Sequence, residues 1–439
     1  MNLNNFFEEA KKEGISVSEV TYFKFSSKAF SLFHKELDNY SISNQSIIKT
    51  RGIYNGKMGS VTTENTTNVS IPYLINGIKS TASLVEKSEE PIIFKGSEKY
   101  HKRNLFNKEL GEINVDKKLE VLHQLEDLAY AYDKRISEVQ VQYQENENEK
   151  LLANSYGLKL KSKNNYYYFY LSVVAKDGEE VKSDGDIYLE SDFSKFSPKE
   201  FVKKICDRVL SKFHGTPIKS KTYKAVLNQD VVSGLLSALI KNSCSAENVQ
   251  KKSSLFVDKL SKKVLSKKIT IEEKPLEKNC FFTYFDDEGV ATYNKKIVDK
   301  GVLTTYLYNL ETAKKDNKES TGNGYDAGSK IGIDVTNLSL KPGKLSEEDL
   351  FKKIKNGVYI TSISGLHAGL NPNSGDFSLQ AEGYHIEDGK VTSPLSLITV
   401  GGNLVEVFSN VLGVGNNAVL QYTSVSTPSI AIKGLKVSS

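Results

Sequence analysis

Tryptophan is absent from this 439-residue chain, and the residues that most often carry metal or nucleophilic chemistry are scarce, with three Cys and six His. Cys206, Cys244 and Cys280 are odd in number, far apart and form no Cys-x-x-Cys pair. That argues against a disulfide framework and a zinc knuckle, and fits a reducing compartment. None of His34, His101, His123, His214, His367 and His385 is followed by Glu, so the helix of a zinc hydrolase, with paired His ligands and an adjacent Glu base, is missing. His123-Gln-Leu-Glu126-Asp127 approaches the inverted His-x-x-Glu-His arrangement, but Asp stands where the second His belongs, and His123 reads as a surface helix residue. There is no Gly-x-Ser-x-Gly elbow and no Walker loop. No apolar run approaches the roughly 20 residues that cross a bilayer. The polar first residues lack the order of a signal peptide, so the expected location is the cytoplasm, without a membrane partner. Formal net charge is +5 from 59 basic and 54 acidic residues, a near-balance that speaks against direct nucleic-acid binding.

What is present is ordinary globular material. Hydrophobic residues make up 38% and charged residues 26%, enough apolar mass for buried cores, and the length suggests two or three domains. Residues 5–13 read as a short helix ending at Gly14. Alternating segments at Ser18–Phe25 and Ile47–Tyr54 read as strands, and Asn55-Gly56 as a hairpin turn, because both residues tolerate positive φ. A helix is expected over 69–86. Another has Leu119, Leu122, Leu125, Leu128 and Tyr132 at helical spacing behind Asp116 as N-cap. Val139, Val141 and Tyr143 alternate, and the run from Tyr166 to Val174 precedes an Asp177-Gly178 turn. Ser197-Pro198-Lys199-Glu200 opens a helix whose stripe holds Phe201, Val202, Ile205, Val209, Leu210 and Phe213, and His214-Gly215-Thr-Pro217 stops it.

The second half begins with a strand, Lys221 to Leu227, then a helix with Val231, Val232, Leu235, Leu236, Leu239 and Ile240 on one face. From about 270 onward strands and turns alternate, punctuated by Lys300-Gly301, Lys341-Pro-Gly343, Asn373-Ser-Gly375, Asp388-Gly389 and Gly401-Gly402. One helix interrupts them, capped by Ser346 with Asp349 at its third position, stapled by Leu345 and Leu350, and ended by Asn356-Gly357. The fold class expected is α+β, with antiparallel sheet and flanking helices in an N-terminal half and a β-rich C-terminal domain with a few helices. The expected divisions are 1–110, a central region 111–217 completing the N-terminal half, and 218–439.

Four places can hold chemistry, each with a plainer reading beside it. Asp286-Asp287-Glu288-Gly289 reads as a turn between strands, with cation binding as the alternative. His367, Asp376 and His385 are donors scattered through the β-rich region, and side chains of this kind more often serve as hydrogen-bonding groups beside turns. Gly413-Val-Gly415-Asn-Asn is a glycine-rich turn or a backbone anion site. The basic stretch Lys251–Lys268 interleaves Leu255, Phe256, Leu260, Val264 and Leu265, as if one face packs on the core and the basic face is solvated, with phosphate contact as the alternative.

Several segments together resemble the TldD/PmbA family. Gly365-Leu-His367-Ala-Gly369-Leu-Asn371-Pro372-Asn-Ser-Gly375-Asp376-Phe377-Ser378 is similar to that family's Asn-Pro-x-[Ser/Thr]-Gly-Asp-Phe signature, with a Gly-Leu-His lead-in like the PmbA (TldE) branch. Phe285-Asp-Asp287-Glu288-Gly289-Val290, Gly301-Val-Leu303, Ser320-Thr-Gly322-Asn323, Ser253-Ser254-Leu-Phe leading to Lys263-Val264, and Arg51-Gly-Ile-Tyr-Asn-Gly56-Lys-Met-Gly59 extend the likeness, in order, from about residue 45 to 435. In that family one subunit type binds zinc on a His-Glu-x-x-x-His helix, and the PmbA type pairs with it. Here the corresponding helix reads Leu235-Leu236-Ser237-Ala238-Leu239-Ile240-Lys241-Asn242, so Ser237 and Asn242 stand at the ligand positions and Ala238 at the position of the base. The family's further Cys ligand is missing, since 401–439 contain neither Cys nor His.

The resemblance implies a noncatalytic subunit of a metalloprotease complex, without a cofactor or catalytic residue of its own. Zinc is expected in a TldD-type partner, and the assembly is a heterodimer with that partner or a homodimer. Its substrate class is unfolded or short peptide, in proteolysis or peptide maturation. Gly365, His367, Asn371, Pro372, Gly375, Asp376 and Phe377 are candidates for shaping a cleft or partner interface, or they build a tight turn system; both readings stay open. Arg51 is read as a surface strand residue in preference to a carboxylate anchor. The competing functions are a regulatory protein-binding module of the gyrase-modulator type, and an independent hydrolase using His367 with Asp376.

Overall fold

The computed structural model describes residues 1–86, 90–328 and 330–439. With 24% helix and 41% strand, helices flanking an N-terminal antiparallel sheet and few of them in the C-terminal region, the chain is α+β. It divides into two compact units, the first made of 1–174, 184–206 and 278–292, and the second of 175–183, 207–277 and 293–439.

The first unit is built on a six-stranded antiparallel sheet. Helix α1 (Leu3–Lys12) leads into the hairpin of β1 (Ile15–Phe33) and β2 (Glu36–Tyr54), each 19 residues long, and β3 (Lys57–Thr63) follows. The Asn55-Gly56 turn between β2 and β3 holds both residues at positive φ, 49° and 72°, as its sequence anticipates. Helix α2 (Ile71–Ser83) packs on β3, and the short α3 (Lys108–Glu112) precedes α4 (Val115–Tyr132). Strands β4 (Ile136–Asn154), β5 (Lys159–Asp177) and β6 (Glu180–Glu190) complete the order β3-β2-β1-β4-β5-β6. Two groups of helices cover one face. Phe6, Ala10, Leu74, Ile75 and Ile78 bury against Ile15, Val20 and Ile48, and α4 lies on β4 and β1. The N-cap of α4 is Asn114, whose side chain accepts from the Asp116 amide; Asp116 instead supplies first-turn negative charge to the helix dipole.

Buried ion pairs sit in this unit. Under α4, Lys118 is fully buried 2.5 Å from Glu145, which also accepts from the Tyr143 hydroxyl at 2.8 Å. Across the β1–β2 ladder, where Glu19 faces Arg51, the guanidinium Nε donates to Glu19 at 2.6 Å. Arg51 is therefore not the surface strand residue that its sequence context suggests: its side chain is 14% exposed and that of Glu19 2%. Burial pulls the Arg51 pKa down, but Glu19, Glu288 and Asp286 outweigh it and raise it, so the guanidinium stays charged. Asp286 and Glu288 belong to the acidic segment, which is indeed a turn. The Asp286 carboxylate accepts from the Glu288 and Val290 amides, and Gly289 sits at φ +84°. That segment combines a turn with a buried negative field against Arg51.

In the second unit, β7 (Lys221–Leu227) runs into α6 (Gln229–Ser243) after α5 (Pro198–Leu210) has carried the chain between the units' segments. A five-stranded barrel forms around β7. Its outer neighbours in order are Ile430–Ser438, Ile398–Asn403, Asp376–Glu387 and Gly357–Ser364, and the last pairs back onto β7 in parallel, closing the sheet. A second sheet gathers the short strands Ile271–Glu273, Lys295–Asp299, Val302–Leu303, Leu338–Leu340, Val419–Leu420 and Val425–Thr427. Gly401-Gly402 is not a turn: both lie inside the Ile398–Asn403 strand, where the Phe377 ring covers Gly402. The helix Glu347–Ile354 has the capping box expected of Ser346 and Asp349, but its left-handed exit residue is Lys355 at φ 62°, and Gly357 already begins the next strand.

Removing the Arg51 charge leaves Glu19 buried without its ion-pair partner. Arg51→Met is expected to lower the unfolding free energy by about 3–5 kcal/mol. Chemical denaturation of the variant checks this, and a loss below about 1 kcal/mol is what an exposed pair would give.

Candidate functional site

Helix α6 is the element to which the resemblance assigns lost metal chemistry, and its placement is tightly specified. Asn228 caps it by accepting from the Val231 amide at 3.0 Å, and the Asn228 side chain donates to the Thr361 carbonyl at 2.7 Å. The cap thus ties the helix to the barrel strand Gly357–Ser364. Val231, Val232, Leu235, Leu236, Leu239 and Ile240 are buried in the main core of the unit. Gly234, Ser237, Ala238 and Asn242 are half-buried and Lys241 is exposed. At 100° per residue, Gly234, Ser237, Ala238 and Lys241 share the less buried face of the helix, with Ala238 still packed against the edge of that core.

Three segments border this face. Leu366 lies against Gly234, where an added Cβ meets its Cδ1 at 3.1 Å. At the N-terminal end, Gln421 donates to the Asp230 carboxylate at 2.6 Å; at the C-terminal end, Lys241 pairs with Asp334 at 2.8 Å. The Asn242 carbonyl is occupied by the Asn248 side chain at 3.0 Å. A helical face with Ser237 and Asn242 at the ligand positions and Ala238 at the base position does not offer a zinc donor set: the imidazoles are absent, and an Ala methyl moves no proton. Among the described residues, no cluster of three or more His, Cys, Asp or Glu side chains is placed to hold a metal ion.

The Gly365–Phe377 segment forms the wall beside α6, and its sequence explains its shape. Gly365 takes φ +84° and starts a single helical turn, Leu366–Gly369, that leaves His367 exposed. Leu370 then pairs with Phe377, and the Asn371 amide donates to the Asp376 carbonyl at 2.8 Å, which closes the loop at its base. The Asn371 side chain accepts from the Asn373 and Ser374 amides, and the Asn371 carbonyl accepts from the Gly375 amide. Gly375, at φ +77°, leaves only 2.9 Å between an added Cβ and Leu255. Pro372 is exposed and Phe377 is buried in the core. The segment is a self-bonded turn system, as the plainer reading of it expects, with Asn371, Pro372, Asn373 and Ser374 exposed.

Asp376 is held by Asn403, whose side chain donates to it at 2.9 Å and to the Ser374 carbonyl at 2.8 Å. Hydrogen bonding from the Asn403 side chain, and then from the Ser374 side chain, keeps the Asp376 carboxyl below the usual carboxylate range. His367 is not among the groups acting on it. His385 stands nine residues farther along the Asp376–Glu387 strand, roughly 30 Å at strand rise. The three scattered donors are therefore not brought together. Gly413-Val-Gly415-Asn-Asn is not a simple turn: Gly413 and Val414 end the strand Val411–Val414, and there is little room for an anion, since the Gly415 and Asn416 amides donate to the Ser429 and Leu345 carbonyls. Lys251–Lys268 is irregular, with Phe256 and Leu265 buried and Leu260 40% exposed, so the packing of its apolar residues does not come from helical periodicity. Cysteine chemistry is also remote: Cys206 and Cys244 are buried, and burial pushes the Cys280 thiol up to about 12.

Sequence reasoning missed several residues that shape this region. Asn403 carries no motif, and neither does the buried pair Glu273 and Lys295, whose charged atoms are 2.5 Å apart. Asn323, from the Ser320–Asn323 segment, donates to both Glu273 oxygens and accepts from Thr321 at 2.7 Å, and its side chain also reaches the Asp334 carbonyl. That network stands behind the Asp334 that pairs with Lys241 of α6.

The closed barrel with α6 packed against it lies within a stretch that matches a known family of protein domains. Residues 220–439, half of the chain, match the PmbA/TldA metallopeptidase C-terminal domain, and residues 108–213 match the central domain of the same family. The chain belongs to the PmbA/TldD metallopeptidase family. It is 29% identical to "Metalloprotease PmbA" of Escherichia coli O157:H7 over 74% of this chain and 71% of that protein. It is 26% identical to "Metalloprotease PmbA homolog" of Haemophilus influenzae over 98% of this chain and 94% of that one. The crystal structure of TM0727 from Thermotoga maritima, described as a modulator of a DNA gyrase, superposes with a TM-score of 0.92 at 28% identity, covering 99% of both chains. TldE from Thermococcus kodakarensis gives a TM-score of 0.92 at 23% identity over the full length of both, a likeness of fold.

Two outcomes check this geometry. Asn403→Ala removes the tether of Asp376 and the side chain that caps the helix Leu404–Ser409, and is expected to cost about 1–2 kcal/mol of stability in chemical denaturation. In the native chain at pH 8 a thiol reagent is expected to label the cysteines slowly, because burial keeps the Cys280 proton on, and all three rapidly once guanidinium unfolds the chain. A fast, stoichiometric native phase contradicts the burial described.

Proposed function

We propose that this chain is a noncatalytic subunit of the PmbA/TldE type that works in the cytoplasm beside a zinc-bearing TldD-type homologue. Together they act on unfolded or short peptides in proteolysis or peptide maturation. The single observation that carries this reading is the face of α6. The helix is capped, buried and walled as a site would be, yet Ser237, Ala238 and Asn242 occupy the positions that the family uses for ligands and base. In the partner, zinc would supply a polarised water for amide hydrolysis. This chain would contribute shape: the rim of the Gly365–Phe377 wall, with exposed His367, Asn371 and Pro372, is available to position a peptide or the partner.

A second reading, a regulatory module that binds another protein, draws support from the description of TM0727 as a modulator of a DNA gyrase. An independent hydrolase built on His367 and Asp376 has less behind it, because Asn403 and Ser374, not His367, act on that carboxylate.

Casein or peptide hydrolysis by the purified chain, alone and mixed with a zinc-bearing homologue, tests the proposal. Cleavage is expected only in the mixture, and chelator is expected to abolish it. Cleavage by this chain alone that disappears with His367→Ala contradicts it, and capture of gyrase without any proteolysis in the mixture favours the second reading.

A further inference from the structure

The basic stretch Lys251–Lys268 contains no helix, and backbone bonds fix where its lysines stand. Lys263 pairs with Val302, the Ser261 amide donates to the Leu303 carbonyl, and the Leu303 amide donates to the Lys262 carbonyl. The Lys300-Gly301 turn lies against the same stretch. Its Gly301 carbonyl accepts from the Val264 and Leu265 amides, and its Gly301 amide donates to the Ile269 carbonyl. Lys300 takes φ +47°, a left-handed conformation usually left to Asn, Asp or Gly, so its neighbours rather than its own preference hold it there. The Lys300 amide donates to the Thr270 hydroxyl, and the Lys341 amide to the Thr270 carbonyl. On another side the Ser266 amide donates to the Phe408 carbonyl, and the Lys268 ammonium to the Leu412 carbonyl. Lys262, Lys263, Lys267, Lys268, Lys300 and Lys341 thus gather on one part of the second unit, and all of them are exposed.

Nearby lysines on this chain meet carboxylates: Lys241 with Asp334, Lys251 with Glu247, Lys296 with Asp299. Among the described residues none of the gathered lysines lies within 4.0 Å of a carboxylate oxygen. The carboxylates on the contributing segments are few, Asp258, Asp299 and Glu406, and Asp299 is taken by Lys296 at 3.0 Å. A chain whose net charge is only +5 therefore concentrates positive charge here without balancing it. Like charges held together repel, and a patch of one sign raises the local concentration of an opposite partner.

We infer that this surface docks an acidic, extended segment of another polypeptide, whose carboxylates lie along the lysines. An extended chain presents a side chain about every 3.3 Å, and long lysine stems reach such a row without demanding one sequence. The surface is poorly suited to other anions. Single-stranded nucleic acid is gripped by aromatic platforms, and none of these segments exposes an aromatic ring. Duplex DNA is read by a helix or ribbon that enters a groove, whereas these segments are turns and short strands bonded down onto the unit. A membrane-surface element inserts an apolar face beside its charges, and Leu260 is the one large apolar side chain exposed among the described residues of Lys251–Lys268. Nor is strand addition the mode: Val302–Leu303 ends its sheet, but the Ser261–Lys263 backbone already covers that edge. Recognition here is by side-chain charge. It does not rest on the proposed function, because binding by this chain alone carries it, whether or not any mixture cleaves peptide.

The test is fluorescence anisotropy of a labelled peptide of alternating Glu and Ser, titrated with the full chain at low and rising salt. Saturable binding that weakens with salt is expected, and none of the matching Lys and Ser peptide. The triple variant Lys262→Glu, Lys267→Glu and Lys300→Glu is expected to bind about 10-fold or more weakly, with circular dichroism unchanged. Gln at the same positions, which adds no new charge, is expected to weaken binding by about threefold or more. Lys102→Glu, Lys108→Glu and Lys199→Glu, made together at exposed positions of the first unit, change net charge equally and are expected to leave the affinity within about twofold. Duplex DNA and phosphatidylserine vesicles, matched to the peptide in total negative charge, are expected to compete less well than unlabelled peptide. Failure to bind the acidic peptide overturns the inference, as does an equal loss in the control variant, which would make net charge rather than this surface responsible. DNA or vesicles that compete as well as the peptide overturn the choice of a polypeptide.

Discussion

Closure of the barrel is the constraint on which the rest of the second unit depends. Gly357–Ser364 bonds to β7 on one side and to Asp376–Glu387 on the other, and every element of the candidate site hangs from those strands. Helix α6 leaves directly from β7 and is capped onto the Thr361 carbonyl. The Gly365–Phe377 wall is the connection between the two strands that make the closing ladder. If that ladder opened, both the helix and its wall would lose their anchor. Because both are anchored to the same pair, their relative position is fixed to the tolerance of a β-ladder.

The polar groups behind the site follow the same logic. Glu273, Lys295, Asn323 and Thr321 form a buried network in which every partner bonds to another. Such networks are expensive when incomplete and rigid when complete. Here the network ends on the Asp334 carbonyl, while the Asp334 carboxylate meets Lys241 of α6. The face of α6 that this network stands behind carries a hydroxyl, a methyl and an amide at Ser237, Ala238 and Asn242.

Much of the architecture was legible in the sequence where one local rule decides the structure. The Asn55-Gly56 turn, β7, the apolar face of α6 and the Ser346 capping box all follow from short-range chemistry. The misses come from tertiary context. Gly401-Gly402 looks like a turn until the Phe377 ring covers it as part of a strand. Arg51 looks exposed because its partners, Glu19, Asp286 and Glu288, are distant in sequence, and the same is true of Glu273 and Lys295. The outer half of β2 is rich in Ser and Asn, without the apolar alternation that marks a strand, and only its pairing with β1 reveals it. The candidate site was legible through the resemblance alone: composition identifies no ligand on α6, and the tether at Asn403 carries no signature.

The most direct test of the account is the zinc content of the chain purified after expression with added zinc, measured by elemental analysis. A face built of Ser237, Ala238 and Asn242 predicts far less than one zinc per chain, with a thermal midpoint that chelator does not shift. About one tightly held zinc per chain, released by chelator with a fall in that midpoint, would contradict the account, because a donor set would then exist that this arrangement does not provide.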